Sequence, residues 1–118
     1  GTNTANVNTD TDTIVIVQST AASDTSIVTA DWSQFGTTSF GSLAFASYNN
    51  AGNNDIALNA TGLAAISLTG YTKLAVRTLN DIDATTPTGF NNETFNRTGL
   101  LLSVTYSTVD GGNYSLFL

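Results

Sequence analysis

The sequence contains no cysteine, no histidine and no methionine among its 118 residues. Without cysteine there is no disulfide, so the residues leave the redox compartment open. Without cysteine and histidine, no Ser–His or Cys–His catalytic pair can form, and zinc would have to be held by carboxylates alone. Because the chain starts at Gly1 and not at a methionine, we expect a processed form or the ordered part of a longer protein.

Basic residues are scarce as well, since Lys73, Arg77 and Arg97 stand against nine acidic residues and leave a net charge of -6. Nucleic acids and anionic membranes are bound by clustered Lys and Arg side chains, and these three residues form no cluster along the chain. No run of about 18 apolar residues is present either. The sequence therefore predicts neither a nucleic-acid partner nor insertion into a membrane.

Carboxylates offer little for catalysis, because the chain has eight aspartates and a single glutamate. Glycoside hydrolysis, which needs only carboxylates, requires a positioned pair of them. The mid-chain candidates all fall at predicted turns or strand ends: Asp31, Asp55, Asp81, Asp83 and Glu93. We therefore expect a protein without enzymatic activity, and a lyase or hydrolase that works through carboxylates is a minor alternative.

Neutral polar residues take the place of charge: 21 threonines, 13 asparagines and 11 serines. Threonine favours strands through its branched Cβ, whereas asparagine and serine favour turns. This mixture predicts an all-β domain with many turns. Together with low charge and the absence of oxidisable sulfur, it favours an extracellular, cell-surface or virion-exposed location.

The stretch 54–76 predicts a strand, one short helix and a second strand. Its apolar residues alternate with polar ones in the outer parts and stand three apart in the middle: Ile56, Leu58, Leu63, Ile66, Leu74 and Val76. Thr61 is the predicted N-cap of the helix, and Gly70 is its predicted end. With Leu74 and Val76 pointing inward, Lys73 and Arg77 are predicted to share the opposite, solvated face of the second strand.

Residues 13–18, TIVIVQ, are apolar on both faces of the predicted strand. Such a strand either lies at the centre of a sandwich or buries one face against another chain. Further strands are predicted over 41–47, 71–79, 93–97, 99–107 and 113–118, which makes about seven in all. One helical turn is predicted over 29–35, with Trp32 and Phe35 closing one end of the core.

The predicted fold class is therefore all-β: a jelly-roll-like antiparallel β-sandwich with one or two short helical turns. Residues 1–12 form a polar N-terminal arm, which we expect to be mobile unless a partner holds it. Residues 13–107 form the sandwich domain. Residues 108–118 consist of a Gly-Gly tether and a C-terminal apolar strand.

No pattern demands a cofactor, and structural calcium is the one candidate. Acidic and amide side chains cluster on the predicted loop 80–92 and alternate on the N-terminal arm, and such oxygen-rich segments can supply the six to eight ligands that calcium takes. The spacing does not match an EF-hand loop. The predicted metal ligands are Asp81, Asp83 and Asn80. The simpler interpretation is that these residues form turns.

Three runs of sequence resemble a known family: DTSIVTADWSQFGTTSFGSLAF, NNDIALNATGLAAISLTGYTKLAVR and the closing GLLLSVTY. They are similar to the disaggregatase-related (DNRLRE-type) jelly-roll modules of secreted surface proteins and of phage and metagenomic structural proteins. The resemblance covers residues 14–106 and is strongest over 54–63 and 69–74. It implies a β-jelly roll that serves as a non-catalytic module, in some members associated with carbohydrate or stabilised by calcium.

The chain departs from that family at its N-terminus, where only a polar arm precedes Ile14 instead of a sheet-forming half. A jelly roll without its first strands exposes sheet edges and part of its core. The strand 113–118 on its Gly-Gly tether is the predicted donor to a neighbouring subunit, and the strand 13–18 is the predicted acceptor or a second donor. The predicted assembly residues are Ile14, Val15, Ile16, Val17, Tyr114, Leu116, Phe117 and Leu118.

Two hypotheses about function follow. The first is a non-enzymatic structural subunit of an extracellular assembly (a filament, a pilus-like fibre or a virion surface) that binds copies of itself or other structural subunits by β-strand addition. The alternative is a carbohydrate-binding or adhesive module of a larger secreted protein, whose partner is a surface glycan. Sugar binding needs exposed aromatic rings, and Tyr48 and Tyr71 are the predicted glycan-binding residues, with Phe90 a further candidate.

Overall fold

The computed structural model describes residues 11–49, 51–89 and 100–106 with their side chains, and residues 3–6 and 93–95 as backbone. The strands are β1 (Asn3–Asn6), β2 (Thr13–Gln18), β3 (Gly41–Ala44), β4 (Leu74–Thr78) and β5 (Glu93–Phe95). The helices are α1 (Ala60–Ala64) and α2 (Leu79–Ile82), and two 3-10 turns cover Thr29–Ser33 and Phe45–Ser47. The described chain is therefore rich in β-structure and turns, with only short helices.

The main sheet has three antiparallel strands in the order β3-β2-β4. The central strand β2 pairs with β3 through Ile14↔Leu43 and with β4 through Val15↔Arg77. Of the two positions predicted for residues 13–18, the structure shows the central one, because β2 is paired at both of its edges.

The first face of this sheet carries Ile14, Ile16 and Gln18 of β2, since residues paired across antiparallel strands lie on the same face. Ile14 forms a buried cluster there with Phe45 and Tyr48, against which Leu43 and Ile56 pack. The segment that follows β3 therefore folds back over the sheet and covers the Ile14 end of the first face.

The second face carries Val15 and Val17, and the Val17 side chain is 0% exposed. Arg77 lies on this face because it pairs with Val15. Its guanidinium reaches across β2 to the far side, where Nη1 donates to the Gly36 carbonyl at 3.0 Å. The prediction that Lys73 and Arg77 share a solvated face is therefore wrong: this face carries the buried Val15 and Val17, and the Lys73 and Arg77 side chains are only 28% and 17% exposed.

Helix α1 begins and ends elsewhere than the sequence predicts. Its N-cap is Asn59 and not Thr61, because the Asn59 Oδ1 accepts from the Gly62 backbone N–H at 2.9 Å. The Asn59 Nδ2 also donates to the Ser39 carbonyl at 2.8 Å, which ties the helix start to the residues before β3. The helix ends at Ala64, well before Gly70.

The turn at Thr29–Ser33 is confirmed, but its aromatic residues do not close the core. Asp31 is buried, and its carboxylate accepts from the Val28 backbone N–H at 2.8 Å, as expected of a residue that caps a helical start. Trp32 contacts Phe35 edge-on at 6.3 Å between ring centroids, yet Trp32 is 81% exposed. The prediction that Trp32 fills the core is wrong.

Two further predicted strands are not found. Residues 54–58 run without a strand partner, and the described part of the predicted strand 99–107, residues 100–106, is not a strand either. Conversely, residues 3–6 of the predicted polar arm form a strand, β1, which pairs antiparallel with β5. The structure thus shows a three-stranded antiparallel sheet, a two-stranded pair and short helices.

Candidate functional site

The outer edge of β4 is an open sheet edge. The strand pairs with β2 on one side, and no strand among the described residues pairs with it on the other. Its side chains on the first face are Leu74, which is half-buried, and Val76, which is 44% exposed. An edge strand presents unpaired backbone N–H and C=O groups, and with apolar side chains beside them it is a template for pairing with another strand.

The outer edge of β3 is obstructed. The Asn59 backbone N–H donates to the Phe40 carbonyl at 2.7 Å, immediately before this strand. A Cβ placed on Gly41, the first residue of β3, would lie 2.4 Å from the Ala57 carbonyl oxygen, so the segment around Ala57 runs directly against the strand. Of the two edges of the main sheet, that of β4 is therefore the more accessible to an added strand.

Residues 100–106, LLLSVTY, form an exposed apolar segment. Every residue in it is exposed, and Leu101 reaches 89%. Soluble proteins expose single apolar residues routinely, but a continuous run of this kind marks a surface that another element covers. The alternation of Leu100, Leu102, Val104 and Tyr106 with their neighbours is also the pattern of a strand with one apolar face.

Half of the predicted assembly residues lie on a strand without a free edge. Ile14, Val15, Ile16 and Val17 all lie on β2, whose two edges are occupied by β3 and β4, so this strand has no free edge to accept or donate pairing. That part of the prediction is wrong, because a central strand cannot also be an edge. The other predicted assembly residues lie outside the described residues: Tyr114, Leu116, Phe117 and Leu118.

The predicted calcium ligands lie in and just after α2. Asp81 forms an ion pair with Arg77, with the Arg77 Nε 2.7 Å from Oδ2, and the Asn80 backbone N–H donates to Asp12 Oδ1 at 3.0 Å. Among the residues that the structure describes, no group of three or more Asp, Glu, His or Cys side chains is gathered as metal ligands would be. A site at Asn80, Asp81 and Asp83 stays a prediction.

The two predicted glycan-binding tyrosines have different surroundings. Tyr48 is only 8% exposed and belongs to the core cluster with Ile14, so its ring is not offered to a ligand. Tyr71 is 74% exposed. It lies beside a shallow cavity of about 220 Å³ that opens at the Gln18 end of β2.

That cavity adjoins a second one of about 380 Å³, and Gln18, Phe40 and Ala65 line both. We call the two together the Gln18 groove. Its walls are the end of β2, the C-terminal end of α1 and residues 71–74 just before β4. Phe40 forms part of the lining, and Gly62 of α1 lies directly against it, since an added Cβ on Gly62 would lie 2.8 Å from the Phe40 Cβ.

Sequence reasoning gave no role to the side chains of Gln18 and Phe40, and it counted Asp12 only among the oxygen-bearing residues of the N-terminal arm that could bind calcium. Asp12 is buried, and its Oδ1 accepts from the Thr13 backbone N–H at 2.7 Å as well as from Asn80, so it joins the start of β2 to α2. An aspartate directly before an apolar strand was a sequence feature that could have suggested a capping role. Gln18 and Phe40 meet only through the tertiary fold and leave no local pattern.

No protein-family model matches the sequence, and no curated protein or solved structure is similar to the chain. The resemblance to the disaggregatase-related jelly-roll modules therefore stays a prediction. Among the described helices, none has the length and apolar character needed to cross a membrane.

Proposed function

We propose that this protein is a non-enzymatic structural subunit of an extracellular assembly, joined to its neighbours by β-strand addition. The observation that carries the proposal is the coexistence of an open edge on β4 and an exposed apolar segment, residues 100–106, that belongs to no strand. The edge is the acceptor, and the segment of a second copy is the donor. A filament, a pilus-like fibre or a virion surface can all be built in this way.

The alternation of side chains fits the donor to the acceptor. An added strand would extend the sheet beyond β4, and its residues would alternate between the two sheet faces. On the first face they would meet Val76 and Leu74, which suits Leu102 and Val104. On the second face, where Arg77 lies, they would be Ser103 and Thr105, whose hydroxyls suit a polar neighbour.

The free energies expected for one added strand predict that the degree of assembly depends on the protein concentration. Burying a Leu or Val side chain completely contributes about 1.5–3 kcal/mol, and each net backbone hydrogen bond about 0.5–1.5 kcal/mol. Association itself costs roughly 4–15 kcal/mol in lost freedom. One added strand of seven residues therefore gives a moderate affinity. Copies linked donor to acceptor make head-to-tail contacts, which extend into an open chain where the rotation between neighbours does not close a ring.

Strand addition would also account for the jelly-roll-like sandwich that the sequence predicts. Strands supplied by neighbours would complete a sheet that the described residues leave at three strands. The composition, with 21 threonines, 13 asparagines and three basic residues, favours exposure outside the cell.

A pair of adjacent substitutions tests the proposal. Leu102→Asp places a charge on the apolar face of the donor, and we expect it to abolish the oligomers that the proposal predicts for the unmodified chain, as measured by multi-angle light scattering. Ser103→Asp introduces the same charge one position later, on the opposite face, and we expect it to leave the oligomers within about threefold of their original affinity.

Circular dichroism checks that both variants keep the fold. We expect that they do, since both positions are exposed in the protomer. An unmodified chain that stays monomeric up to millimolar concentration contradicts the proposal. Equal effects of the two substitutions contradict the assignment of residues 100–106 as a paired strand.

A further inference from the structure

We propose that the Gln18 groove binds a neutral oligosaccharide, with Tyr71 as the stacking platform and Gln18 as the principal hydrogen-bonding side chain. The proposal is argued from the groove and does not require strand addition, although Leu74 borders both the groove and the open edge of β4. It concerns a different class of ligand.

Tyr71 provides the apolar contact. Its ring is 74% exposed at the rim of the groove, and no described residue hydrogen-bonds its hydroxyl group. A large aromatic ring left exposed costs free energy in the unbound protein, so an exposed ring beside a concavity marks a contact surface. The flat C–H face of a pyranose ring is complementary to such a ring, because it is apolar in the middle and carries hydroxyl groups at its edge.

Gln18 provides the polar contact. Its side chain lies on the first face at the end of β2 and lines both cavities of the groove. No described residue hydrogen-bonds its side-chain amide, which therefore offers two donor hydrogens and an acceptor oxygen to a ligand. Adjacent hydroxyl pairs of a sugar present the matching acceptor and donor groups.

The rest of the lining is neutral. Thr38 and Thr61 add hydroxyl groups in the larger cavity. The one charged residue of the groove is Lys73, and its Nζ is already held at 2.6 Å by both the Asp24 carboxylate and the Ala21 carbonyl. A ligand with a charge of its own would have to displace this ion pair or remain unpaired, so an uncharged polyhydroxylated ligand is favoured.

The shape of the groove also suits a chain of sugars. It is open and shallow, with two adjoining cavities of about 220 and 380 Å³ that share the Gln18 wall. An enclosed pocket would bury most of a compact ligand, whereas an open groove binds a short stretch of a polymer that continues on both sides.

The test is titration of the full chain with panels of neutral oligosaccharides of four to six units (gluco-, xylo- and manno-configured) and with an anionic oligogalacturonate. We expect at least one neutral panel to bind and the oligogalacturonate to bind at least tenfold more weakly. Tyr71→Ala should weaken binding of the neutral ligand by more than tenfold, and Gln18→Ala by about two- to tenfold, the range for one hydrogen bond.

Two further variants distinguish stacking on the Tyr71 ring from the nonspecific effect of removing an exposed aromatic side chain. Tyr71→Phe keeps the ring, and we expect binding within about threefold of the original. Trp32→Ala removes an aromatic ring that is 81% exposed and lies outside the groove, and it should leave binding unchanged.

The proposal is overturned if no neutral oligosaccharide binds, if Tyr71→Ala binds as well as the original chain, or if Trp32→Ala weakens binding as much as Tyr71→Ala does. It is likewise overturned if the anionic ligand binds more tightly than every neutral one. Because Leu74 borders both the groove and the open edge of β4, each titration is carried out on chain whose oligomeric state has been measured separately.

Discussion

Arg77 is the residue that most changes the description of the sheet. It lies opposite Val15, crosses the central strand and donates to the Gly36 carbonyl, while its Nε pairs with Asp81. One side chain thus joins β4, α2 and the residues before β3. Its charge stays paired at the surface, and its aliphatic part lies over Val15 and Val17.

Replacement of Arg77 by Lys should therefore destabilise the fold although the charge is kept. Lysine has no planar fork and cannot bond Gly36 and Asp81 together, so we expect a loss of about 1–2 kcal/mol in the free energy of unfolding, measured by urea denaturation. Asp81→Asn removes only the exposed partner of the ion pair and should cost under about 1 kcal/mol. An equal or larger effect of Asp81→Asn would show that the ion pair, and not the bridge to Gly36, is what Arg77 contributes.

Asn59 is the second residue with a structural role that can be measured. Its side chain caps α1 through Gly62 and bonds the Ser39 carbonyl, so Asn59→Ala removes both contacts. We expect a loss of about 1–2 kcal/mol in unfolding free energy.

Asn53→Ala, at an exposed position nearby that has no described side-chain hydrogen bond, is the matched control and should change stability by less than about 0.5 kcal/mol. If the two variants unfold at the same urea concentration, the Asn59 contacts do not stabilise the protein.

At the scale of elements, the burial of β2 on both faces was predictable, but the burial of the β4 face that carries Arg77 was not. Four consecutive β-branched residues favour burial of both faces, so a central position for residues 13–18 was one of the two positions that the sequence predicted. In β4 the same alternation places Leu74 and Val76 on one face and Arg77 on the other. A hydrophobicity pattern assigns the arginine to solvent, but the length of its side chain lets it cover Val15 and still reach polar partners.

The α1 boundaries failed for a related reason. The sequence ATGLAAIS continues a helical pattern beyond Ala64, yet the helix ends there, and the Ser67 backbone N–H donates to the Thr72 hydroxyl at 2.8 Å instead of to a helix carbonyl. Contacts of this kind outweigh the small differences in intrinsic helix propensity.

The open edge of β4 leads to a prediction at the same scale. Val76→Lys places a charge on this edge, where its long side chain can reach solvent without disturbing the protomer. We expect the variant to fold normally and to dissociate the oligomers at least tenfold more readily than the unmodified chain, as measured by sedimentation velocity. Leu68→Lys, at an exposed apolar position away from the edge, is the control and should assemble as before. Equal dissociation of both variants would mean that charge alone opposes assembly.

At the scale of the whole molecule, the sequence identified strand-forming segments but not their partners. Residues 54–58 and 100–106 both have a strand pattern, and neither is paired among the described residues. A segment becomes a strand only when it pairs with a neighbour. The edges that remain free depend on the strand order β3-β2-β4, and no local sequence pattern shows that order. For the same reason the sequence assigned assembly to β2, the one strand of the main sheet whose edges are both occupied.

The Gln18 groove was predictable only in part. Tyr71 was identifiable as an exposed aromatic candidate, because it follows Gly70 just before a strand. Its neighbours in the groove come from β2, α1 and the residues before β3, which lie far apart in the chain. Tyr48 had equal standing in the sequence, and only the packing against Ile14 shows that it belongs to the core.

The measurement that tests strand addition most directly is the mass of a mixture of two variants, determined by light scattering. Val76→Lys keeps the donor segment and blocks the acceptor edge, whereas Leu102→Asp keeps the edge and blocks the donor. Each variant alone should be a monomer of 12.3 kDa. Mixed in equal amounts, they should form a dimer of twice that mass and nothing larger, because one good donor meets one good edge. If the mixture stays monomeric while the unmodified chain assembles, residues 100–106 do not add to β4 of another copy, and the subunits are joined through some other surface.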